Sequence, residues 1–324
     1  MRAVRVTELG GPASVQLADI DEPAAGAGVV IDVHAAGVAF PDALLTRGLY
    51  QYRPELPFTL GAELAGVVRS APEGAHVKPG DRVVGLTMIG GAMAETAVLG
   101  ADRVFPLPDN VSFDAGAGLL FNDLTVYFAL TTRGRLAAGE TVLVHGAAGG
   151  IGTSTLRLAP ALGAGRVIAV VSTEEKADVA RAAGATDVVL ADGFRDAVAG
   201  LTGGKGVDIV LDPVGGDRFT DSLRSLAPAG RLLVVGFTGG EIPTVKVNRL
   251  LLNNVDVVGV GWGAWALTHP NALAEQWQGL SELLTSGKLA PPQPEVYPIE
   301  QAGAAVAALE NRTASGKVVV RVRG

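Results

Sequence analysis

The chain has 324 residues, enough for about two domains of ordinary size, each with its own core. It contains no cysteine, which excludes disulfides, thiol nucleophiles, thiolate zinc sites and iron–sulfur clusters together. The formal net charge of −7 comes from scattered residues with no basic stripe, so no nucleic-acid partner is expected, and no apolar run approaches the roughly 20 residues of a membrane span.

The four histidines, His34, His76, His145 and His269, show neither HxH nor HExxH spacing, and no metal site is expected. The first residues alternate apolar and polar as a strand does, without the basic start and apolar middle of a signal peptide. A soluble, cytoplasmic protein is the resulting expectation.

To about residue 120 the chain reads as short strands separated by turns. Arg2–Glu8, Gly28–Ala36, Leu64–Ser70 and Asp81–Met88 are β-rich, and Glu73-Gly74, Pro79-Gly80 and Gly90-Gly91 punctuate them. That spacing suits a compact, barrel-like all-β unit.

From about residue 122 strands and helices alternate. Thr141–His145 is an apolar strand, followed by a glycine-rich turn and a helical stretch through Leu162. Arg166–Val171 is the next strand, and Thr173–Ala183 a helix whose first turn carries Glu174 and Glu175, where a helix N-terminus favours acids. Asp187–Leu190, Val207–Leu211, Arg231–Val235 and Val255–Val260 complete the strands, with helical spacers at Phe194–Leu201 and Asp217–Leu226. Near-continuous Val, Ile and Leu runs of this kind predict a parallel sheet covered on both faces, in a doubly wound dinucleotide-binding order.

Beyond residue 262, Pro270–Ser286 reads as a helix, Pro291–Pro298 as an extended stretch, Ile299–Leu309 as an amphipathic helix and Lys317–Val322 as a terminal strand. No linker precedes this segment, so it is expected to pack back onto the first domain. The expected boundaries are 1–121, 122–261 and 262–324.

The glycine-rich turn carries the most chemistry. Ala147, Gly149 and Gly152 take the three positions of a GxGxxG fingerprint between a strand and a helix, with alanine at the first. Small residues there let a backbone approach a pyrophosphate, and the helix N-terminus offers N–H groups to it. Ala148, Gly149, Gly150, Ile151 and Gly152 are therefore the candidate phosphate cradle. Where an NAD enzyme carries an acid for the ribose 2′-hydroxyl, this chain has Ser172, with Thr173 next and Lys176 four residues on. A hydroxyl and an ammonium suit a 2′-phosphate, which favours NADPH over NADH; a helix cap and a solvated lysine are the other reading of the same residues.

With these residues in hand, the chain resembles the medium-chain dehydrogenase/reductase superfamily in its zinc-independent NADPH:quinone oxidoreductase (zeta-crystallin-like) branch. The resemblance runs end to end, through Gly37-Val38-Ala39-Phe40-Pro41-Asp42, Arg47-Gly48-Leu49-Tyr50, Leu60-Gly61-Ala62-Glu63-Leu64-Ala65-Gly66, Pro79-Gly80-Asp81-Arg82-Val83 and Leu124-Thr125-Val126-Tyr127. It continues through the glycine-rich turn, Asp212-Pro213-Val214-Gly215-Gly216, Gly236-Phe237 and Gly316-Lys317-Val318-Val319. It implies an α/β architecture: a GroES-like β-barrel catalytic domain, completed by the C-terminal segment, plus an inserted Rossmann domain with a doubly wound parallel sheet. Nicotinamide and substrate would meet in a cleft.

The resemblance also implies the site. In zinc-dependent relatives Ala39 would be a cysteine ligand and Ala62 a histidine ligand, and neither alanine can donate an electron pair. The branch usually has asparagine where this chain has Ala39, so the amide near nicotinamide and acceptor is missing. Thr125 corresponds to a position beside the nicotinamide ring, or is an ordinary helix-terminal hydroxyl. Gly236 and Phe237 would bring backbone near the nicotinamide ribose or carboxamide, or serve as a turn and its packing. Tyr50 is the candidate hydrogen-bond donor to the acceptor oxygen, with Tyr52 second, and Asp42 is expected to order the site through hydrogen bonds. The expected reaction is hydride transfer from NADPH to a quinone or similar small electron-poor acceptor. The alternatives are reduction of an enone or enoyl thioester, and an NADPH-binding protein with little turnover. The apolar strand Val255–Trp262 at a sheet edge, together with the resemblance, implies a homodimer.

Overall fold

Strands apolar at nearly every position need cover on both faces, and the chain between residues 141 and 259 supplies six of them. In the computed structural model, which describes every residue except Ile89, Pro270 and Gly324, they form one parallel sheet. Its order is Asp187–Leu190, Arg166–Val171, Thr141–His145, Val207–Asp212, Leu226–Val234, Asp256–Gly259. Counted along the chain this is 3-2-1-4-5-6, the doubly wound order with its reversal between the first and fourth strands. The central strands bury most of their side chains, Leu143, Ile168, Val210 and Leu232 included, whereas the edge strand Asp256–Gly259 is largely exposed.

The chain divides into two compact units. Met1–Leu124 with His269–Gly324 is one, and Thr125–Thr268 is the other. Within the first, strand Val29–Val38 is the hub. It pairs antiparallel with Glu63–Ser70, with Thr96–Leu99 and with the C-terminal strand Val318–Arg321. Arg82–Leu86, Val104–Pro106 and Glu295–Pro298 extend this sheet, and Arg2–Val6 forms a second with Val15–Asp19 and Phe58–Thr59. Val4, Ile31, Leu64, Val306 and Val320 share one core, which is why the C-terminal segment belongs to this unit. Each such side chain contributes about 1.5–3 kcal/mol on burial.

Element boundaries differ from the sequence reading where local chemistry overrides pattern. The fifth strand starts at Leu226, not Arg231: Pro228 cannot continue a helix, and buried Leu226 takes a place in register beside Val207. The helix expected from Pro270 runs over Ala272–Thr285, with Pro270 itself outside the described residues. Helices Phe40–Thr46, Asn248–Asn253 and Trp262–Thr268 are too short for periodicity to reveal. Among the described residues, no helix is long and apolar enough to cross a membrane.

At the N-terminal ends of the parallel strands, Arg231 holds the preceding loop in place. It donates twice to Glu140 (2.7 and 2.8 Å), to the Gly134 carbonyl (2.8 Å) and to that of Arg135 (3.2 Å). Arg231→Met leaves Glu140 and two carbonyls short of donors. It is expected to destabilise by about 3 kcal/mol, read as a lowered Tm and denaturation midpoint, without loss of nucleotide binding.

Candidate active site

A helix can begin hard against a strand only if the turn between them is free of side-chain bulk. After strand Thr141–His145, Gly146 takes φ 58°, and Gly149 caps helix Gly150–Ala161. Gly149 N–H donates to the Gly146 carbonyl (2.9 Å), and Ala147 N–H to the Val170 carbonyl of the neighbouring strand (3.1 Å). A Cβ on Gly152 would stand 2.5 Å from Ala147 Cα, so only glycine lets the first helical turn sit this close. The first N–H groups of that helix have no intrahelical acceptor, and with the helix dipole they make a ready anion cradle.

His145 ends the strand just before the turn. It is fully buried, edge-on to Phe194 at 4.9 Å, with Nε2 2.8 Å from Ser222 Oγ. That hydroxyl already donates to the Arg218 carbonyl (3.0 Å), so Nε2 carries the ring proton and donates, and Nδ1 is the bare nitrogen. Burial pushes the imidazole pKa down to about 4, and the ring is neutral.

Three further segments end at this edge of the sheet. Ser172 is exposed just beyond the second strand, and Thr173 caps the next helix, its Oγ1 accepting from Lys176 N–H (3.4 Å). After the fourth strand, Asp212 Oδ1 accepts from the N–H groups of Val214 (2.8 Å) and Gly215 (2.9 Å), folding Asp212–Gly216 into a tight turn. Gly236 and Phe237 follow the fifth strand. Thr238 N–H donates to the Pro213 carbonyl (3.0 Å) and Gly239 N–H to that of Val214 (2.8 Å), so the two loops are laced together. Phe237 packs against Gly215, where a Cβ would meet its ring at 2.9 Å. The structure thus assembles Ala148–Gly152, Ser172, Thr173, Lys176, Gly236 and Phe237 around the strand-order reversal where doubly wound sheets bind ligands.

The first unit holds a separate cluster of buried charge. Asp42, in the first turn of helix Phe40–Thr46, accepts from Ala39 N–H (2.8 Å) and Gly61 N–H (3.0 Å). It therefore ties together the two segments that carry Ala39 and Ala62. Burial raises its pKa to about 6, against the pull of those N–H groups and of Lys317. Glu63 and Lys317 pair at 2.7 Å with almost no exposure; burial pushes the Glu63 carboxyl up, and Lys317 opposes it. Tyr50 is half-buried against the core, and burial, aided by the negative charge of Asp42, raises its phenol, which stays protonated and able to donate. Thr125, the first residue of the second unit, is buried in helix Leu120–Tyr127.

Sequence reasoning gave no role to Glu63, Lys317, His145 or Asp212. The signal for the first two was present: opposite charges directly ahead of apolar runs, Glu63 before Leu64–Val68 and Lys317 before Val318–Val320. Among the described residues, no group of three or more His, Cys, Asp or Glu is disposed to hold a metal ion.

Comparison with known proteins agrees with this arrangement. Residues 26–109 match the alcohol dehydrogenase GroES-like domain and residues 150–286 the zinc-binding dehydrogenase family. Quinone oxidoreductase-like protein 2 of Rattus norvegicus is 36% identical over 325 residues, covering 99% of this chain and 92% of the relative. A probable oxidoreductase from Mycobacterium abscessus superposes with a TM-score of 0.91 at 42% identity, over 99% of both chains. Escherichia coli quinone oxidoreductase, solved with NADPH, gives 0.89 at 31% identity, over 99% of this chain and 100% of that one. The chain belongs to the medium-chain dehydrogenase/reductase superfamily and, within it, to the zinc-independent quinone oxidoreductase family.

Two outcomes follow from the geometry. Gly152→Val forces the helix away from the strand and is expected to weaken NADPH binding by at least about tenfold in a fluorescence titration. Asp42→Asn turns an amide donor toward one of two backbone donors and costs about 1–3 kcal/mol. Because the raised pKa favours the protonated folded form, the contribution of Asp42 is complete below its ordinary value of 3.8 and is lost as pH rises through about 6. The deficit of Asp42→Asn in denaturant unfolding is accordingly expected to shrink by roughly 2 kcal/mol between about pH 4 and about pH 7.

Proposed function

We propose that this chain is an NADPH-dependent reductase of quinones and similar small electron-poor acceptors. The observation that carries the proposal is the glycine turn Gly146–Gly152, set at the order reversal of a 3-2-1-4-5-6 sheet, in a chain whose relatives are quinone oxidoreductases. The cradle fits a dinucleotide because glycine at 146, 149 and 152 lets the helix start close against the strand, and the buried, neutral His145 just before the turn adds no charge.

Bound NADPH supplies a hydride at its nicotinamide. Ala148–Gly152 hold the pyrophosphate through backbone N–H groups, and Ser172, Thr173 and Lys176 take the 2′-phosphate, where a carboxylate would repel it. Backbone at Gly236 and Phe237, with the Thr125 hydroxyl, orients the ring. Tyr50 donates a hydrogen bond to the acceptor oxygen as negative charge grows there, and Asp42 keeps the Ala39 and Gly61 segments in register around the acceptor. With quinones, water can supply the final proton. Alanine at positions 39 and 62 offers no metal donor, and Ala39 gives the acceptor room in place of an amide hydrogen bond.

The same proposal extends to architecture. The antiparallel strands of the first unit close as a GroES-like barrel, the domain limits fall near 1–121, 122–261 and 262–324, and the protein acts in the cytoplasm. A homodimer forms across the exposed strand Asp256–Gly259 and the apolar side chains beside it, Leu251 (76% exposed) and Leu252 (74%), which water alone would otherwise cover.

The direct test is titration with NADPH and NADH, followed by NADPH oxidation with a quinone or a simple enone. Preferred NADPH binding and rapid quinone loss are expected. Enone turnover alone would move the enzyme to alkene reduction, and binding without turnover would leave a nucleotide-binding protein. Ser172→Asp is expected to weaken NADPH by at least about tenfold and to improve NADH. Tyr50→Phe is expected to lower kcat about tenfold to a hundredfold with NADPH affinity retained.

A further inference from the structure

Of the salt bridges among the described residues, Lys317–Glu63 is the one with both side chains almost wholly buried, at 4% and 1% exposure. An ion pair this deep adds little stability beyond an apolar pair of equal volume, because desolvation offsets attraction. Its backbone bonds are what an apolar pair would lack. Lys317 Nζ donates to the Val38 carbonyl (3.0 Å) as well as to Glu63 Oε1 (2.7 Å), and Glu63 Oε2 accepts from Phe121 N–H (2.8 Å).

Both backbone groups lie next to residues read as attending the reaction. Val38 immediately precedes Ala39, the cap of the helix that holds Asp42. Phe121 is the second residue of helix Leu120–Tyr127, which carries Thr125. Glu63 also lies one residue beyond Ala62 and two beyond Gly61, whose N–H binds Asp42. One pair of side chains therefore fixes the starts of two helices from the middle of a sheet.

The fold also clears space for it. Gly37 stands opposite Glu63 in the ladder, where a Cβ would come within 2.6 Å of Glu63 Cγ and Oε1 and closer still, 2.4 Å, to the Ala117 carbonyl oxygen. Gly118 does the same for Lys317, with its Cγ 2.9 Å from the position of a Cβ. Gly118 is thus kept small chiefly for a charge pair that stability alone does not require, and Gly37 for the pair and the Ala117 carbonyl together.

We propose that Glu63 and Lys317 are positioning residues for hydride transfer. They hold the Val38–Asp42 turn and the start of helix Leu120–Tyr127 in place through the Val38 carbonyl and the Phe121 N–H. The proposal rests on the reading of Asp42, Tyr50 and Thr125 as residues of the reaction, and the pair itself touches neither cofactor nor acceptor.

The test replaces the pair by apolar residues of similar volume, Glu63→Leu with Lys317→Met, and follows NADPH:quinone turnover of the full chain. Expected are an NADPH Kd within about twofold of wild type and a kcat lower by at least about tenfold, because misplaced reacting groups slow the chemical step. The primary deuterium isotope effect on kcat with 4-deuterated NADPH is also expected to rise, which mere loss of folded protein would not cause. If the double variant does not fold, Glu63→Gln alone serves: it keeps the volume but can satisfy Lys317 or Phe121 and not both, and the same signs are expected at smaller size. A folded variant of either kind with wild-type kcat and an unchanged isotope effect would overturn the proposal. Wild-type protein that binds NADPH but reduces no quinone would instead sink the functional reading, and the pair's role with it.

Discussion

The nucleotide edge of this molecule depends on a collision that does not happen. Helix Gly150–Ala161 starts so close to the turn after strand Thr141–His145 that a single methyl group at Gly152 would overlap Ala147. That closeness points unpaired N–H groups outward, and the loops after the second, fourth and fifth strands gather around the same edge. Lacing between Asp212–Gly216 and Gly236–Gly239 makes those loops one structure, so their backbone can orient a ligand with little ordering on binding.

The first unit solves a different electrostatic problem. It buries Asp42, Glu63 and Lys317 inside an otherwise apolar core, where an isolated charge is costly. Asp42 is offset by two backbone N–H groups, and Glu63 by an ammonium and one N–H. Ala39 and Phe121 stand at the starts of helices, and Gly61 and Lys317 just ahead of strands. Charge burial here sets where backbone lies more than how stable the unit is.

Much of this was legible in the sequence, for physical reasons. Strands Thr141–His145, Arg166–Val171 and Asp187–Leu190 and helix Phe194–Leu201 emerged with the limits read from pattern, because β-branched runs and turn glycines bound them tightly. The glycine turn was legible because its spacing is dictated by contact with phosphate and strand. The strand start at Leu226 was not, since Pro228 and Gly230 read locally as a loop and only pairing with Val207 makes the segment extended. Glu63 and Lys317 lie 254 residues apart in the chain, and no local pattern can announce a partner at that distance.

Gly118 imposes a history as well as a shape. An alanine at Gly37 meets the Ala117 carbonyl whether or not Glu63 is present, whereas one at Gly118 meets chiefly the Lys317 stem. Once Lys317 is lost, the space it leaves favours filling by that methyl group, after which lysine can no longer return. Positions 118 and 317 are therefore epistatic: descendants of this chain can lose the arrangement in one order and are barred from rebuilding it in the reverse, so it should be inherited or abandoned as a block.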